Sequence, residues 1–262
     1  MIDPQLQAEL RKRFNPDGSL LRQHQLRMLE MLKFFDKVCK ENNVPYWLSA
    51  GTCLGAVRHG GFIPWDDDVD VEILREDWPR LEKALLTQTE YDLQTRETDP
   101  DYFLPFAKLR DKHSYMEEVM VDRPYKYNGV FIDIFQLEPT LYWVSWLAYW
   151  VKVCLNRIFK SSSTYRFVMK LFYGVFIPPL RLICRLLCSG KVLRHVIGFF
   201  FFKKIRKREQ LFPLAEIKFE DYIFPVPHDA DGYLRLLYGD DYMVLPNLDK
   251  LKLKHTIRLE LF

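Results

Sequence analysis

A chain of 262 residues with 48% hydrophobic and 28% charged residues has an ordinary globular composition, enough to bury the core of one large domain or two small ones. Its formal net charge of +3 conceals a segregation: residues 141–209 hold fourteen Lys and Arg against Glu209 alone (+13), while the rest holds 24 basic and 34 acidic residues (−10). Five cysteines scattered through apolar surroundings exclude a disulfide framework and offer no zinc spacing.

Helices are predicted over 4–14 and 22–41, the second with Leu26, Leu29, Leu32, Phe35 and Cys39 recurring at three or four residues, and both are expected outside a sheet. Asn42, Asn43 and Pro45 end the second helix, and Tyr46 to Leu48 form a short strand. The stretch GTCLGAVRHGGFIPWDDDVDVEI over 51–73 follows. Ser49, Gly51 and Thr52 precede a helical run from Thr52 to Arg58, whose first backbone amides are placed to hold an anion. Arg58 and His59 end that run, and Gly60-Gly61 turns the chain back.

Asp66, Asp68 and Asp70 then alternate with residues that include Val69, and Val71 and Ile73 continue the alternation. A half-buried strand is predicted, with the carboxylates on one face, the branched side chains on the other, and Asp67 out of phase. Grouped carboxylates repel one another unless a cation sits among them, and a hard ion such as Mg²⁺ takes carboxylate oxygens while keeping positions for water and phosphate. A metal and phosphate site is the expectation.

A helix from Asp77 or Pro79 to about Thr87 comes next, and strands are predicted over Tyr91–Arg96, Phe103–Arg110, Tyr115–Val121 and Val130–Phe135. Asp133 lies between Ile132 and Ile134, where an isolated carboxylate is costly to bury, so it either caps something locally or, the favoured reading, joins the metal site. Lys108 and Arg110 share a strand face; they either neutralise a substrate phosphate or form the solvated face of an edge strand, and Glu117 or Glu118 can pair with either.

Residues 141–209 are aromatic and basic. Their apolar runs stop at Lys152, at Pro178-Pro179 and at KKIRKR, and none reaches the roughly 18 to 20 residues that a membrane span requires. An interfacial element on an anionic cytoplasmic leaflet is expected, the alternative being an ordinary helical subdomain with snorkelling Lys and Arg. From Phe219 a globular pattern returns: a strand over Tyr222–Val226, a helix capped by Asp229 or Asp231 and ended by Gly239, and His255 in a basic setting. This divides the chain into 1–140, 141–209 and 210–262. The start, MIDPQLQAELRKR, has no apolar signal core, so a cytoplasmic location is expected.

GTCLGAVRHGGFIPWDDDVDVEI, the later KLRD and GVFIDIF, and the closing FPVP, YLRLLYG, DYMVLP and His255 together resemble the LicD family of phosphotransferases and its fukutin-type relatives. The resemblance implies an α+β, nucleotidyltransferase-like mixed sheet flanked by helices, here with a basic hydrophobic helical insert. It implies Asp68 and Asp70 as the paired catalytic carboxylates, Asp133 as the third and Asp66 as a further ligand of Mg²⁺ or Mn²⁺. Ser49, Gly51, Thr52, Arg58, His59, Lys108, Arg110 and His255 form the expected substrate-binding set.

The implied reaction moves a phospho-alcohol, phosphocholine foremost, from a CDP-linked donor to a hydroxyl of a glycan, lipopolysaccharide or teichoic acid precursor. Trp65, Trp78, Tyr102 and Phe106 either face a quaternary ammonium or belong to the core. The expected acceptor is a glycan or lipid-linked glycan at the cytoplasmic face of an anionic membrane, with no nucleic acid partner. Two other readings stand beside it: nucleotidyl transfer releasing pyrophosphate, and a membrane-associated adaptor without chemistry.

Overall fold

A computed structural model describes residues 1–118, 125–159, 162–251 and 256–262. Two helices open the chain, α1 (Pro4–Phe14), capped by the Asp3 carboxylate, and α2 (Leu20–Glu41), capped by the Ser19 hydroxyl. A short strand β1 (Tyr46–Leu48) then runs directly into α3 (Ala50–His59), which ends on Gly60 in the left-handed conformation that a Cβ would disfavour. After a loop come β2 (Asp70–Leu74), α4 (Trp78–Leu86), β3 (Tyr91–Gln94), β4 (Ala107–Asp111), β5 (Ser114–Glu118) and β6 (Phe131–Glu138).

The insert begins with α5 (Tyr142–Ile158), continues through α6 (Ser162–Leu171), a π-helical turn (Phe172–Phe176) and α7 (Ile177–Leu187), and returns by β7 (Val192–His195) and β8 (Arg206–Lys207). The chain closes with α8 (Arg208–Leu211), the hairpin β9 (Ala215–Phe219) and β10 (Tyr222–Val226), α9 (Ala230–Tyr238) capped by Asp229, and β11 (Thr256–Leu261) paired to β5.

The main sheet is mixed and orders its strands β1-β2-β6-β4-β3, with β7 added to the end of β6 and β8 to β7. Only β2 and β6 run parallel. Its apolar residues are covered by α2, α3 and α4, whose Met28, Leu32, Phe35, Cys53, Ala56 and Leu81 join Val71, Ile73, Ile132 and Ile134 in one buried cluster. The fold is the expected α+β architecture.

Three details differ from expectation. The ladder of the acidic strand starts at Asp70, so Asp66 and Asp68 precede it in a loop. Pairing ends there because β1 has only three residues and Val69 accepts the last bond across the sheet, from Asp133 N at 2.8 Å. Residues 163–187 form one continuous 25-residue helix, long and apolar enough to cross a membrane by length and composition. Pro178-Pro179 does not interrupt it: the prolines follow directly on the π turn, where the Ile177 amide donates to the Phe172 carbonyl five residues back and the helical ladder changes register. Finally, β7 and β8 belong to the main sheet, so the chain rejoins the body at Val192, well before residue 209.

Candidate active site

The loop bearing the acidic run is pinned from below by α2. The fully buried Gln25 donates through Nε2 to the carbonyls of Ile63 (3.3 Å) and Asp66 (2.9 Å), and its own amide oxygen accepts from Asn15. Asp67 is buried on the inner side near His24, out of the cleft that Asp66, Asp68 and Asp70 line. From above, Asp70 N donates to Thr52 Oγ1 at 2.8 Å, which locks the start of β2 to α3. A cleft of about 570 Å³ results, with the three carboxylates on one wall and Tyr238, Asp241 and Tyr242 on the other.

Strand register supplies the next residues. Asp70 stands in register with Asp133 on β6, and Asp133 with Lys108 on β4, so Asp70, Asp133 and Lys108 form a row across three central strands. Neighbouring strands lie about 4.8 Å apart, close enough for the charges to feel one another. Burial pushes the Asp70 carboxyl well up, and Asp68, Asp133 and Asp66 add to it while Lys108 opposes. Asp133 is raised by burial and partly restored by Lys108, whose Nζ is 2.9 Å from Oδ1.

Lys108 and Arg110 are therefore not the solvated face of an edge strand. Both are buried on a central strand; Lys108 also reaches Glu118 at 3.4 Å, and Arg110 is committed to Glu118 at 2.5 Å, Gln94 at 2.8 Å and the Gly129 carbonyl at 2.9 Å. Arg110 is buried and held by these three partners, whereas Lys108 points at the carboxylate row.

The expected phosphate cradle at the start of α3 is largely occupied. Ser49 does not cap the helix; its hydroxyl meets Tyr233 OH at 3.1 Å, and Ala50 N donates to the same hydroxyl at 3.2 Å. A Cβ on Gly51 would come to 3.0 Å from Asp66 Oδ2, so a carboxylate already lies against that turn. Thr52 is spent on Asp70.

Arg58 lines the cleft but uses Nη1 on the carbonyls of Tyr242 (2.9 Å) and Val244 (3.3 Å), fixing the far wall. His59 supports it from behind. Burial, reinforced by Arg58, brings its pKa down to about 3, so the neutral ring accepts from Arg58 Nε at 2.9 Å and donates from Nδ1 to Gln7 at 2.7 Å. His255 lies outside the described residues. Of the aromatic candidates only Trp65 reaches the cleft; Tyr102 is buried, and Trp78 and Phe106 line a separate cavity with Arg75 and Arg181.

The histidines give a pH prediction. His24 is lowered by burial to about 4, against an opposing pull from Asp67. The unfolded chain protonates it first, so its contribution is fully present above about pH 6.5 and is lost as pH falls toward 4, on the order of 3 kcal/mol. Denaturant titrations at pH 7 and 4.5 should show this fall, and His24→Gln should flatten it.

Several participants carried no signal in the sequence. A second pocket of about 150 Å³ shares Asp70 and Tyr238 with the cleft and is walled by Phe135, His195, Phe201 and Leu237, with Lys204 at its side. Phe135 was readable, two residues beyond Asp133 on the same strand face, but His195, Phe201 and Lys204 belong to the returning end of the insert. Beneath them Glu72, fully buried, accepts from Arg206 (2.6 Å), Trp47 (2.9 Å) and Tyr233 (3.1 Å), with His195 Nε2 3.3 Å away. Burial alone would raise this carboxyl; Arg206 and His195 outweigh that and hold it well below the usual range.

The donor set suits a hard divalent ion: aspartate oxygens crowd one cleft, Arg58 on its wall is turned to the Tyr242 and Val244 carbonyls, and Lys108 behind Asp70 is already shared by Asp133 and Glu118. Among the described residues no three His, Cys, Asp or Glu side chains are grouped so that they alone could hold an ion. The fit is that of an open site, with Asp68 and Asp70 supplying ligands and phosphates or water the remainder.

Comparison with known proteins agrees with this geometry. The family model described as the LicD/FKTN/FKRP nucleotidyltransferase domain matches residues 43–172. Lipopolysaccharide cholinephosphotransferase LicD of Haemophilus influenzae is 35% identical over 118 residues, 44% of this chain and 43% of that protein. Ribitol-5-phosphate transferase FKTN of Mus musculus is 46% identical over 52 residues (20% of this chain, 11% of that protein), and ribitol 5-phosphate transferase FKRP of Homo sapiens 48% over 48 (18% and 10%). The match thus spans less than half the length of these relatives. With its acidic loop, the Asp70–Asp133 register and the matched domain in one place, the chain carries a LicD-family nucleotidyltransferase domain over residues 43–172.

Proposed function

We propose that the chain transfers a phospho-alcohol, phosphocholine foremost, from a CDP-linked donor to a hydroxyl of a cell-surface glycan, with Mg²⁺ or Mn²⁺ bound at Asp68 and Asp70. The observation that carries this is the row Asp70, Asp133 and Lys108 across three strands, whose Asp70 opens onto a cleft that Asp66 and Asp68 also line while Asp133 and Lys108 are buried behind it. Phosphoryl transfer asks a protein mainly for positioning and charge neutralisation.

A bound ion would neutralise the donor diphosphate and make cytidylate a better leaving group. Asp68 and Asp70 hold the carboxylate side of that site, and Asp66 extends it toward α3. Asp133, with its raised proton affinity and its contact to Lys108, takes the proton of the acceptor hydroxyl as that oxygen bonds to the β-phosphorus. The bond from phosphorus to the cytidylate oxygen breaks, and CMP departs through the larger cleft.

The relatives' names point to two alcohols, choline and ribitol. Choline is the reading for this chain because the smaller pocket presents the rings of Phe135, Phe201 and Tyr238 beside the Asp70 carboxylate. Its two cations are engaged elsewhere, Lys204 with the Leu237 carbonyl and Arg206 with Glu72, and it offers a polyol's hydroxyls few free partners.

The test is incubation with CDP-choline or CDP-ribitol, Mg²⁺ and a glycan acceptor. CMP should appear with CDP-choline, stop on chelation, and be at least roughly tenfold slower with CDP-ribitol, as unpaired polar groups imply. Absence of CMP with every CDP-alcohol defeats the reading; pyrophosphate from a nucleoside triphosphate would favour nucleotidyl transfer instead.

A further inference from the structure

We infer that the outer face of α5, together with the Phe200–Lys204 tip, is a docking surface for an anionic lipid bilayer, and that this surface holds the catalytic cleft against the membrane. The inference is independent of which alcohol is transferred.

Helix α5 is two-faced. Val144 and Ala148 are fully buried in a cluster with Tyr165, Met169, Phe172 and Cys184, whereas Trp143, Trp146 and Trp150 leave 53%, 46% and 44% of their surface exposed. These residues and Leu147 lie one, four, five and eight positions along from Tyr142, which places them with Tyr142 on a single stripe turned away from that cluster. Trp and Tyr are the side chains that settle at the boundary between headgroups and acyl chains.

The stripe is continuous with the tip. Phe202, buried, packs its ring against Tyr142 (5.6 Å) and Tyr149 (5.5 Å), and next to it Phe200 and Phe201 are exposed. Exposed Lys203 and Lys204 follow at once, within a segment whose net charge is +13. Aromatic and aliphatic groups ringed by Lys and Arg match an anionic leaflet, whose surface potential attracts each nearby basic group.

The same tip lines the pocket at Asp70 through Phe201 and Lys204, so a bilayer contacting the tip lies beside the reaction centre. A lipid-borne acceptor is the class of substrate that this placement serves.

Docking, rather than spanning, follows from how the long helix is held. Arg166 pairs with Asp101 at 2.6 Å near its start, Tyr173 OH donates to the Phe103 carbonyl at 3.2 Å in its middle, and Arg181 pairs with Glu138 at 2.6 Å near its end. Three attachments to the body along one helix leave it lying on the protein. Its Phe167, Leu171, Leu182 and Leu186 still face outward.

The test uses the full chain and extruded vesicles of phosphatidylcholine with or without 30% phosphatidylglycerol, read by co-sedimentation and tryptophan emission. Binding should be at least roughly tenfold stronger on the anionic vesicles, weaken with salt, and shift emission to the blue. Trp143→Ser combined with Trp146→Ser and Trp150→Ser should weaken binding about tenfold or more, and Lys203→Glu about fivefold or more. Both variants should keep the circular dichroism spectrum and CMP release with a soluble acceptor.

Asp68→Asn should bind vesicles like the wild type, so loss of catalysis and loss of docking are separable. Three results would overturn the inference: folded protein that stays in the supernatant with every vesicle, a dimer dispersed by the tryptophan variant, or protein released only by detergent and resistant to both salt and alkaline carbonate.

Discussion

Asp70→Asn should lower CMP release about 10³-fold or more, a loss of roughly 4 kcal/mol in transition-state stabilisation, while raising the melting temperature. The two effects share one cause. Asp70 sits where burial and the Asp68, Asp133 and Asp66 charges all disfavour its ionised form, so the folded protein bears this cluster at a cost that a metal-bound diphosphate would relieve. Asparagine removes one charge, and the backbone bond from Asp70 N to Thr52 needs no carboxylate. Side-by-side melting curves and CMP assays decide the matter: a variant that keeps wild-type turnover would remove Asp70 from the proposed chemistry. A variant that loses both turnover and stability would mark it as structural.

Glu72→Ala should cost about 3 to 5 kcal/mol of stability, the range for leaving a buried charge without its partner. Glu72 is fully buried, and Arg206 makes its shortest ion pair there at 2.6 Å; without the carboxylate the guanidinium keeps neutral partners such as the Ile205 carbonyl at 3.4 Å and no counter-charge to replace Glu72 among the described residues. Trp47 Nε1 and Tyr233 OH also lose an acceptor. For a chain of this length each kcal/mol moves the melting temperature by about 2 to 4 °C, so a drop of roughly 6 °C or more is expected. Replacing Glu72 and Arg206 together by Met should recover part of it, because no unpaired charge remains. A melting temperature unchanged in Glu72→Ala would show that the network contributes nothing to the fold.

Glu72 also shows where reading by type falls short. It lies two residues from Asp70 on the same strand and carries the same charge, yet one carboxylate is crowded by anions and the other is clasped by Arg206 from 134 residues away. Alternation places both on one strand face; it does not say which will meet a cation. Lys108 and Arg110 repeat the point, since the same spacing yields one side chain turned to the carboxylate row and one consumed by Gln94, Gly129 and Glu118.

Local signals were reliable where local physics decides. The periodicity of α2, the caps at Asp229 and Gly239, the Gly60 turn and the clustering of Asp66, Asp68 and Asp70 all depend on neighbours within a few residues, and all were legible. So was the isolated Asp133, because a carboxylate between isoleucines needs a polar partner wherever it lies.

What only the tertiary structure decided are the meetings of distant segments. Parallel pairing of β2 with β6 put Asp133 level with Asp70, and the length of β1 ended the ladder at Asp70. Packing carried a 25-residue helix past two prolines and brought the end of a basic insert back to the pocket at Asp70. The sequence by itself determined that carboxylates would gather and that one segment would be greasy and positive; register and packing determined which carboxylates share a cleft, because hydrogen bonds and buried contacts between strands depend on partners that no local pattern names.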